Sequence, residues 1–377
     1  MKRRQILATG GLVATLGAAR LAHAEPGVND NEVLLGQSAV LSGPLGVSVK
    51  RLNAGAQAVI DEVNAAGGVN GRRIRWLQLD DELAPPKAVA NYKRLLETEQ
   101  VFSLFCCVGS GTTAAAAPVL TATDAVSLGG YAVADSAREK LGKAGFFVRA
   151  TTRSEAEVLV RQLGTIGVTR TAFVHLDNPG GQEALRLVEA ELAAAQLKPV
   201  ATAAVKADGS NVAQAVATLA AASPQALLIY LGGRLPADVI AGLAAAGQFP
   251  SCYGMSIVSG EIAAQVLGDK ARGLAIAQLV PFPWNKASPD LQTYRNLMDK
   301  AKVDVSYYSL EGWINARVLV EALKRCGRDL RRERFAAVLR GLNLRVAGME
   351  VDFGNHKLAG SRFVELVQVR ADGSFAR

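Results

Sequence analysis

The sequence predicts an α/β protein built as two doubly wound parallel-sheet lobes. Short apolar runs alternate with longer segments of helical periodicity from residue 33 onward, and repeated strand–helix–strand units pack as a parallel sheet with helices on both faces. The alternation pauses and restarts after residues 146–151. The chain has 377 residues, half of them hydrophobic, which is more than one core usually holds. Alanine and glycine are abundant and aromatics few, a composition suited to close packing of helix on sheet.

Taken in order, residues 33–41 are strand-like, and 54–63 carry apolar residues at helical spacing before the stop Ala66-Gly67-Gly68. Residues 73–79 alternate charged and apolar side chains, and 86–97 are helical with proline in the first turn. Residues 101–108 form a nearly continuous apolar run, the mark of a strand buried on both faces. In the second half 171–176, 200–205 and 226–231 are strands, separated by helices beginning near Glu183, Val212 and Pro236. Leu185, Val188 and Leu192 form an apolar stripe, with Arg186, Glu189 and Glu191 off it. The last third holds helical segments at 290–301, 310–326 and 332–339, then strands at 349–353 and 363–369. No low-complexity linker separates the lobes, which fits a hinge of several chain crossings better than beads on a string.

The N-terminus has the three-part pattern of a cleaved export signal: Lys2-Arg3-Arg4, an apolar run from Ile6 to Leu21, and Ala22-His23-Ala24 before Glu25. Cleavage is expected after Ala24. The run, broken by glycines and Arg20, is a poor match to the roughly 20 residues that span a bilayer. The paired arginines with Ile6-Leu7 just beyond also fit a twin-arginine signal, so both that route and the general secretory route stay open. Residues 1–24 carry four basic residues and no acid, so the formal charge of +8 becomes +4 once they are removed. A charge this small and mixed gives no footprint for nucleic acid or an anionic membrane.

Catalytic groups are scarce. With His23 in the signal, only His175 and His356 remain, and there is no GxSxG elbow, HExxH pair or Walker lysine. His175 stands at a strand end beside Asp177, where it lines a cleft or satisfies a turn more readily than it serves acid–base chemistry, since nothing nearby supplies a nucleophile or metal. Cys106, Cys107, Cys252 and Cys326 form no CxxC pair and no metal spacing. An exported compartment favours disulfides where geometry allows, while the plainer expectation is buried small apolar residues. Cys106 and Cys107, adjacent in a buried strand, should point to opposite faces. No metal and no cofactor is expected.

Binding residues are easier to find. Gly109-Ser110-Gly111-Thr112-Thr113 joins the buried run to a helical segment at 114–120. Small residues there let a ligand approach the backbone, and free N–H groups at a helix start attract an anion. A carboxylate cradle and an ordinary capped helix both fit this segment. Gly129-Gly130-Tyr131-Ala132-Val133 and Gly232-Gly233-Arg234 also follow strands, where ligands bind in doubly wound folds, and Arg234 is either a solvated charge or a carboxylate grip.

At this point the residues resemble a known family. Leu41-Ser42-Gly43-Pro44, Gly55-Ala56, Asn64-Ala65-Ala66-Gly67-Gly68-Val69-Asn70-Gly71, then Asp80-Asp81, Pro85 and Ala88, look like the opening of the leucine/isoleucine/valine-binding proteins of ABC importers. The similarity continues through Val148-Arg149-Ala150-Thr151, Val280-Pro281-Phe282-Pro283-Trp284 and Ser309-Leu310-Glu311-Gly312-Trp313 with Ala316-Arg317. It implies the type I periplasmic binding fold, with three crossovers forming the hinge. The implied division is a first lobe of residues 25–151 and 279–358, and a second of 152–278 and 359–377. The resemblance further implies a monomer in the periplasm that closes on a ligand and delivers it to a membrane permease complex. Ser110 and Thr112 would meet the ligand carboxylate with help from the backbone near Tyr131, and Tyr308 would face the ligand side chain.

Several positions depart from the family pattern. The acidic residue that holds an amino acid's ammonium corresponds to Ser256, an expected threonine to Val133, one expected aromatic to glycine near Asn178 and another to Arg234. The first-lobe cysteine near Asp81 is Leu83, which removes the family's usual disulfide. Asp177 or Glu261 could replace the missing acid. The expected ligand is therefore of branched-chain amino-acid type, with an amine-free aromatic or short organic acid, or an amide, as the alternative. The expected ligand contacts are Ser110, Thr112, Tyr131, Val133, Arg234, Ser256 and Tyr308. The rival from another class is a sensing module that signals to a membrane partner, for which these residues supply neither a spanning segment nor an output domain. An enzyme is the weakest reading.

Overall fold

The computed structural model describes residues 25–354 and 358–377. The expected signal, residues 1–24, and His356 lie outside the described residues. The first lobe is built on β1 (Glu32–Ala39), β2 (Arg73–Asp80), β3 (Ser103–Phe105), β4 (Ser127–Leu128) and β5 (Gly145–Phe146), parallel strands in the order β2-β1-β3-β4-β5. Between them run α1 (Gly43–Ala65), α2 (Pro85–Lys93), α3 (Ser110–Thr121) and α4 (Asp135–Leu141). The expected strand at 101–108 is cut to Ser103–Phe105, its far end set where Cys106 turns out of it at φ 55°. Its neighbour Cys107 still packs in a different apolar cluster from Cys106, on the side of Tyr92 and Leu95. The four cysteines are free, and burial pushes the Cys107 and Cys326 thiols up to about 11.

The second lobe follows with α5 (Thr152–Thr165), β6 (Thr171–Leu176), α6 (Pro179–Ala194), β7 (Ala201–Val205), α7 (Val212–Ala221), β8 (Ala226–Tyr230), α8 (Leu235–Ala245), β9 (Ser251–Gly254), α9 (Gly260–Leu267) and β10 (Ala275–Gln278). Its parallel strands run β7-β6-β8-β9-β10. β6 and β8 are buried at every residue, as central strands covered on both faces must be.

The chain then returns as α10 (Pro289–Ala301), α11 (Tyr307–Cys326), α12 (Arg332–Arg340) and the hairpin of β11 (Asn343–Val346) and β12 (Met349–Asp352). Of these, α10 and α11 pack on α1. Finally β13 (Glu365–Val369) and β14 (Phe375–Ala376) extend the second sheet antiparallel beyond β10. Three connections thus join the lobes: residues 147–151, residues 279–288, and the stretch from β12 to β13. The first and third lie side by side, with Gly360 N–H donating to Phe147 O at 2.7 Å and Ser361 N–H to Val148 O at 2.9 Å. Among the described residues no helix is long and apolar enough to cross a membrane.

Candidate functional site

Each sheet reverses its strand order once on the cleft side, between β1 and β3 in the first lobe and between β6 and β8 in the second. At such switch points the loops diverge to opposite faces and leave a crevice at the carboxyl ends of the strands. Here the two crevices face each other and enclose a cavity of about 220 Å³. The first lobe contributes Val40, the start of α1 (Leu45, Ser48, Val49), Gly109 to Thr112, and Tyr131 with Ala132. From the second come Leu176 to Gly180, Tyr230, Gly232, Gly233 and Ile257.

The polar end of this cavity is the start of α3. Gly109 precedes the helix at φ 96°, a conformation that other residues rarely adopt, and a Cβ there would stand 2.5 Å from Thr112 Oγ1. With glycine at the cap no side chain satisfies the first turn, whose N–H groups have no partner within the helix. Thr112 Oγ1 donates within 2.7 Å of Val108 O and 3.0 Å of Gly109 O, while Ser110 Oγ donates to Ala132 O at 3.1 Å and accepts the Ala134 N–H at 2.9 Å. Both hydroxyls therefore spend their protons on bracing the loops. The donors left for an anion are backbone N–H groups at the positive end of the helix.

Of the seven expected contacts, Ser110, Thr112 and Tyr131 line the cavity. The other four do not. Val133 is turned into the first-lobe core beside Ala137 and Phe147, because Ala132 takes φ 53° and reverses the facing of the chain. Arg234 is exposed, pairing one turn along its own helix with Asp238 at 2.9 Å. Tyr308 sits behind Tyr131, ring centroids 5.7 Å apart and edge to face, and burial pushes its phenol up to about 12. His175 stacks on Phe173 and places Nδ1 2.8 Å from Leu176 O, so it satisfies a turn.

Ser256 belongs to a buried charged cluster instead. Its hydroxyl accepts from Arg149 Nη2 and donates to Glu155 Oε1 at 3.0 Å, while its N–H donates to Glu155 Oε2 at 2.6 Å. Arg149 also lies 3.4 Å from Glu311 Oε1 and 4.9 Å over the Tyr131 ring. Burial pushes the carboxyls of Glu155 and Glu311 above their usual range, and the charge of Arg149 opposes that shift. Of the candidate replacement acids, Asp177 lines the cavity, whereas Glu261 is bonded by Ser259 Oγ at 3.0 Å away from it. Sequence reasoning missed Leu45, Ser48, Tyr230 and Ile257, and marked the glycine near Asn178 only as a departure from the family pattern, whereas Gly180 lines the cavity. Tyr230, last residue of β8, carried a positional signal; Leu45, Ser48 and Ile257 lie in first helical turns and loops with none.

The family model for periplasmic binding proteins matches residues 32–374. The chain belongs to this family. The resemblance to the leucine/isoleucine/valine-binding proteins thus holds for family and fold. Leu/Ile/Val-binding protein homolog 7 of Brucella suis is 29% identical over 156 residues, 40% of this chain and 38% of the relative, so less than half of that relative's length is matched. A substrate-binding periplasmic protein from Ralstonia solanacearum superposes with a TM-score of 0.85 at 29% identity, over 91% of this chain and 99% of the other. The ABC-transporter solute-binding protein from R. palustris in complex with benzoate shares the fold, with a TM-score of 0.80 at 16% identity over 91% and 94% of the two chains. Periplasmic binding proteins capture small molecules between two lobes, and the cavity described above occupies that position.

Proposed function

We propose that this periplasmic binding protein is the solute-receiving component of an ABC importer. Its lobes, residues 25–151 with 279–358 and 152–278 with 359–377, close as a monomer in the periplasm on a small carboxylate with an apolar body, which it hands unchanged to a permease complex. The observation that carries the ligand class is the uncapped start of α3 opening into an otherwise largely apolar cavity. Helix-start N–H groups suit a carboxylate, and aliphatic and aromatic walls suit its body.

Charge favours an amine-free aromatic or short organic acid over a branched-chain amino acid. An ammonium enclosed in the cleft needs a counter-charge, because an unpaired buried charge costs several kcal/mol. At the position where the resemblance places that acid stands Ser256, hydrogen-bonded to the guanidinium of Arg149, and both nearby acids face Arg149 as well. The second reading, a branched-chain amino acid, is favoured by Asp177 on the cavity wall and by the name of the B. suis relative.

A thermal-shift screen of the protein lacking residues 1–24 decides between them, since ligand at 100 times Kd adds about 2.7 kcal/mol to the native state. Melting-temperature shifts with benzoate or branched short-chain acids, and none with leucine, isoleucine or valine, are expected. Shifts confined to the amino acids would overturn the amine-free reading, and Asp177→Asn should then abolish them.

A further inference from the structure

The start of α6 touches the first lobe twice. At the cavity Gly180 lies so close to Ser110 that a Cβ on it would stand 2.7 Å from Ser110 Oγ. One turn further on, Glu183 reaches out of the second lobe. Its Oε1 accepts the Ser136 N–H at 2.9 Å and its Oε2 accepts the Ser136 hydroxyl, both in the first turn of α4. Beside Ser136, Asp135 faces the other way and accepts the N–H groups of Thr152 and Arg153 at the start of α5, at 2.9 and 3.1 Å. A first-lobe acid thus holds a second-lobe helix, and a second-lobe acid holds a first-lobe helix.

The two contacts differ in what a hinge rotation does to them. Thr152 follows directly on the first connection, so Asp135 grips the pivot itself. Glu183 stands on the helix whose first residues, Pro179 and Gly180, line the cavity, and neither it nor Ser136 lines that cavity. We infer that the Glu183–Ser136 pair is a latch of the closed form, made as the lobes meet and broken as they part, so that Glu183 sets ligand affinity without touching the ligand.

Glu183 is 7% exposed in this arrangement, so its carboxylate depends on the two Ser136 donors in place of water. An open cleft would return it to solvent, and the latch shifts the balance by the difference between those environments. A receptor that is closure-competent for only a fraction of the time binds more weakly by that fraction. Losing the latch therefore weakens binding chiefly through faster release.

The inference rests on the reading of the protein as a closing receptor, and its test has an arm that needs no ligand. Hydrogen exchange of the peptide containing Ser136 is compared among the native protein, Glu183→Ala, Glu183→Gln and Ser136→Ala, and Kd and release rate are measured for benzoate and L-leucine separately. A latch that holds the closed form for part of the time without ligand protects Ser136 in proportion to that time, so in Glu183→Ala exchange at Ser136 should rise in the ligand-free protein, and affinity should fall about tenfold through release. Glu183→Gln, which keeps an acceptor, should recover most of both, and Ser136→Ala combined with Glu183→Ala should be no worse than the latter alone. Unchanged exchange in Glu183→Ala, or raised exchange with unchanged affinity for a probe that binds, would overturn the latch. If neither probe binds but exchange rises as expected, the latch stands and the proposed ligand class fails.

Discussion

Gly180 and Ser110 meet across the cavity so closely that a Cβ on Gly180 would stand 2.7 Å from Ser110 Oγ, whereas a Cβ on neighbouring Gly111 would rest in ordinary contact with Pro179 at 3.6 Å. Gly180 does not take a positive φ, so a larger residue there strains the interface between the lobes and not its own backbone. Gly180→Leu is expected to leave the unfolding temperature of the ligand-free protein nearly unchanged and to raise Kd about tenfold or more, measured by calorimetry with whichever ligand the screen identifies. Equal affinity in the variant would mean that the lobes do not meet at this point when ligand is held. Ser110, Thr112 and Tyr131 were legible in the sequence because each follows a strand in a fold that binds ligands at strand ends. Ser256 and Tyr308 came from positional resemblance alone, while Val133 and Arg234 also stood in segments that follow strands. Their facing is decided by the φ of Ala132, by the Asp238 partner, by the buried Arg149 and by the Tyr131 ring, none of which is written in local pattern.

Among elements, α1 and α11 approach closely. A Cβ on Gly312 would fall 1.9 Å from Leu52 O, and one on Gly55 would fall 2.0 Å from Ser309 O, so the backbones of the two helices are in contact at a pair of glycines. That contact explains two glycines which in the sequence were only parts of a family pattern. Because the obstacle is backbone and not a side chain that can swing away, Gly312→Ala should cost about 3 kcal/mol, at the upper end of ordinary overpacking. Urea unfolding checks it: the midpoint should fall with the slope unchanged, and an alanine variant within 0.5 kcal/mol of the parent, roughly the range of neutral surface changes, would show that the helices can part freely. Long apolar runs such as 171–176 and 226–231 announced their strands. β4 and β5 are two residues each, β9 is Ser-Cys-Tyr-Gly, and β11 alternates with only Val346 well buried; strands so short are fixed by the neighbours they pair with, and periodicity cannot reveal them.

For the whole molecule the two lobes and the multi-crossing hinge followed from the restart of the strand–helix rhythm and the absence of a linker, but what rigidifies the hinge did not. That task falls to Arg138, which is 3% exposed. Its Nε donates to Val133 O at 2.9 Å, Nη1 to Arg149 O at 3.1 Å and Leu358 O at 3.0 Å, and Nη2 to Ala150 O at 3.1 Å, while its guanidinium lies 4.9 Å from the centre of the Phe147 ring. One planar cation therefore ties α4, the first connection and the third connection together, and a lysine ammonium, with one donor centre, cannot span the same carbonyls. Arg138→Lys should lower the free energy of unfolding by about 3 kcal/mol, since each buried carbonyl left unpaired costs about 1–3 kcal/mol and water or the ammonium recovers some of them. Because the carbonyls lie on the connections and not in either sheet, the loss should also appear in the ligand-free state as faster hydrogen exchange at residues 147–151 and 358–361, with the strands β6 and β8 as slow as before. A variant that loses stability evenly across both sheets, with no preference for the connections, would show that Arg138 supports the first lobe's core and leaves the hinge to others.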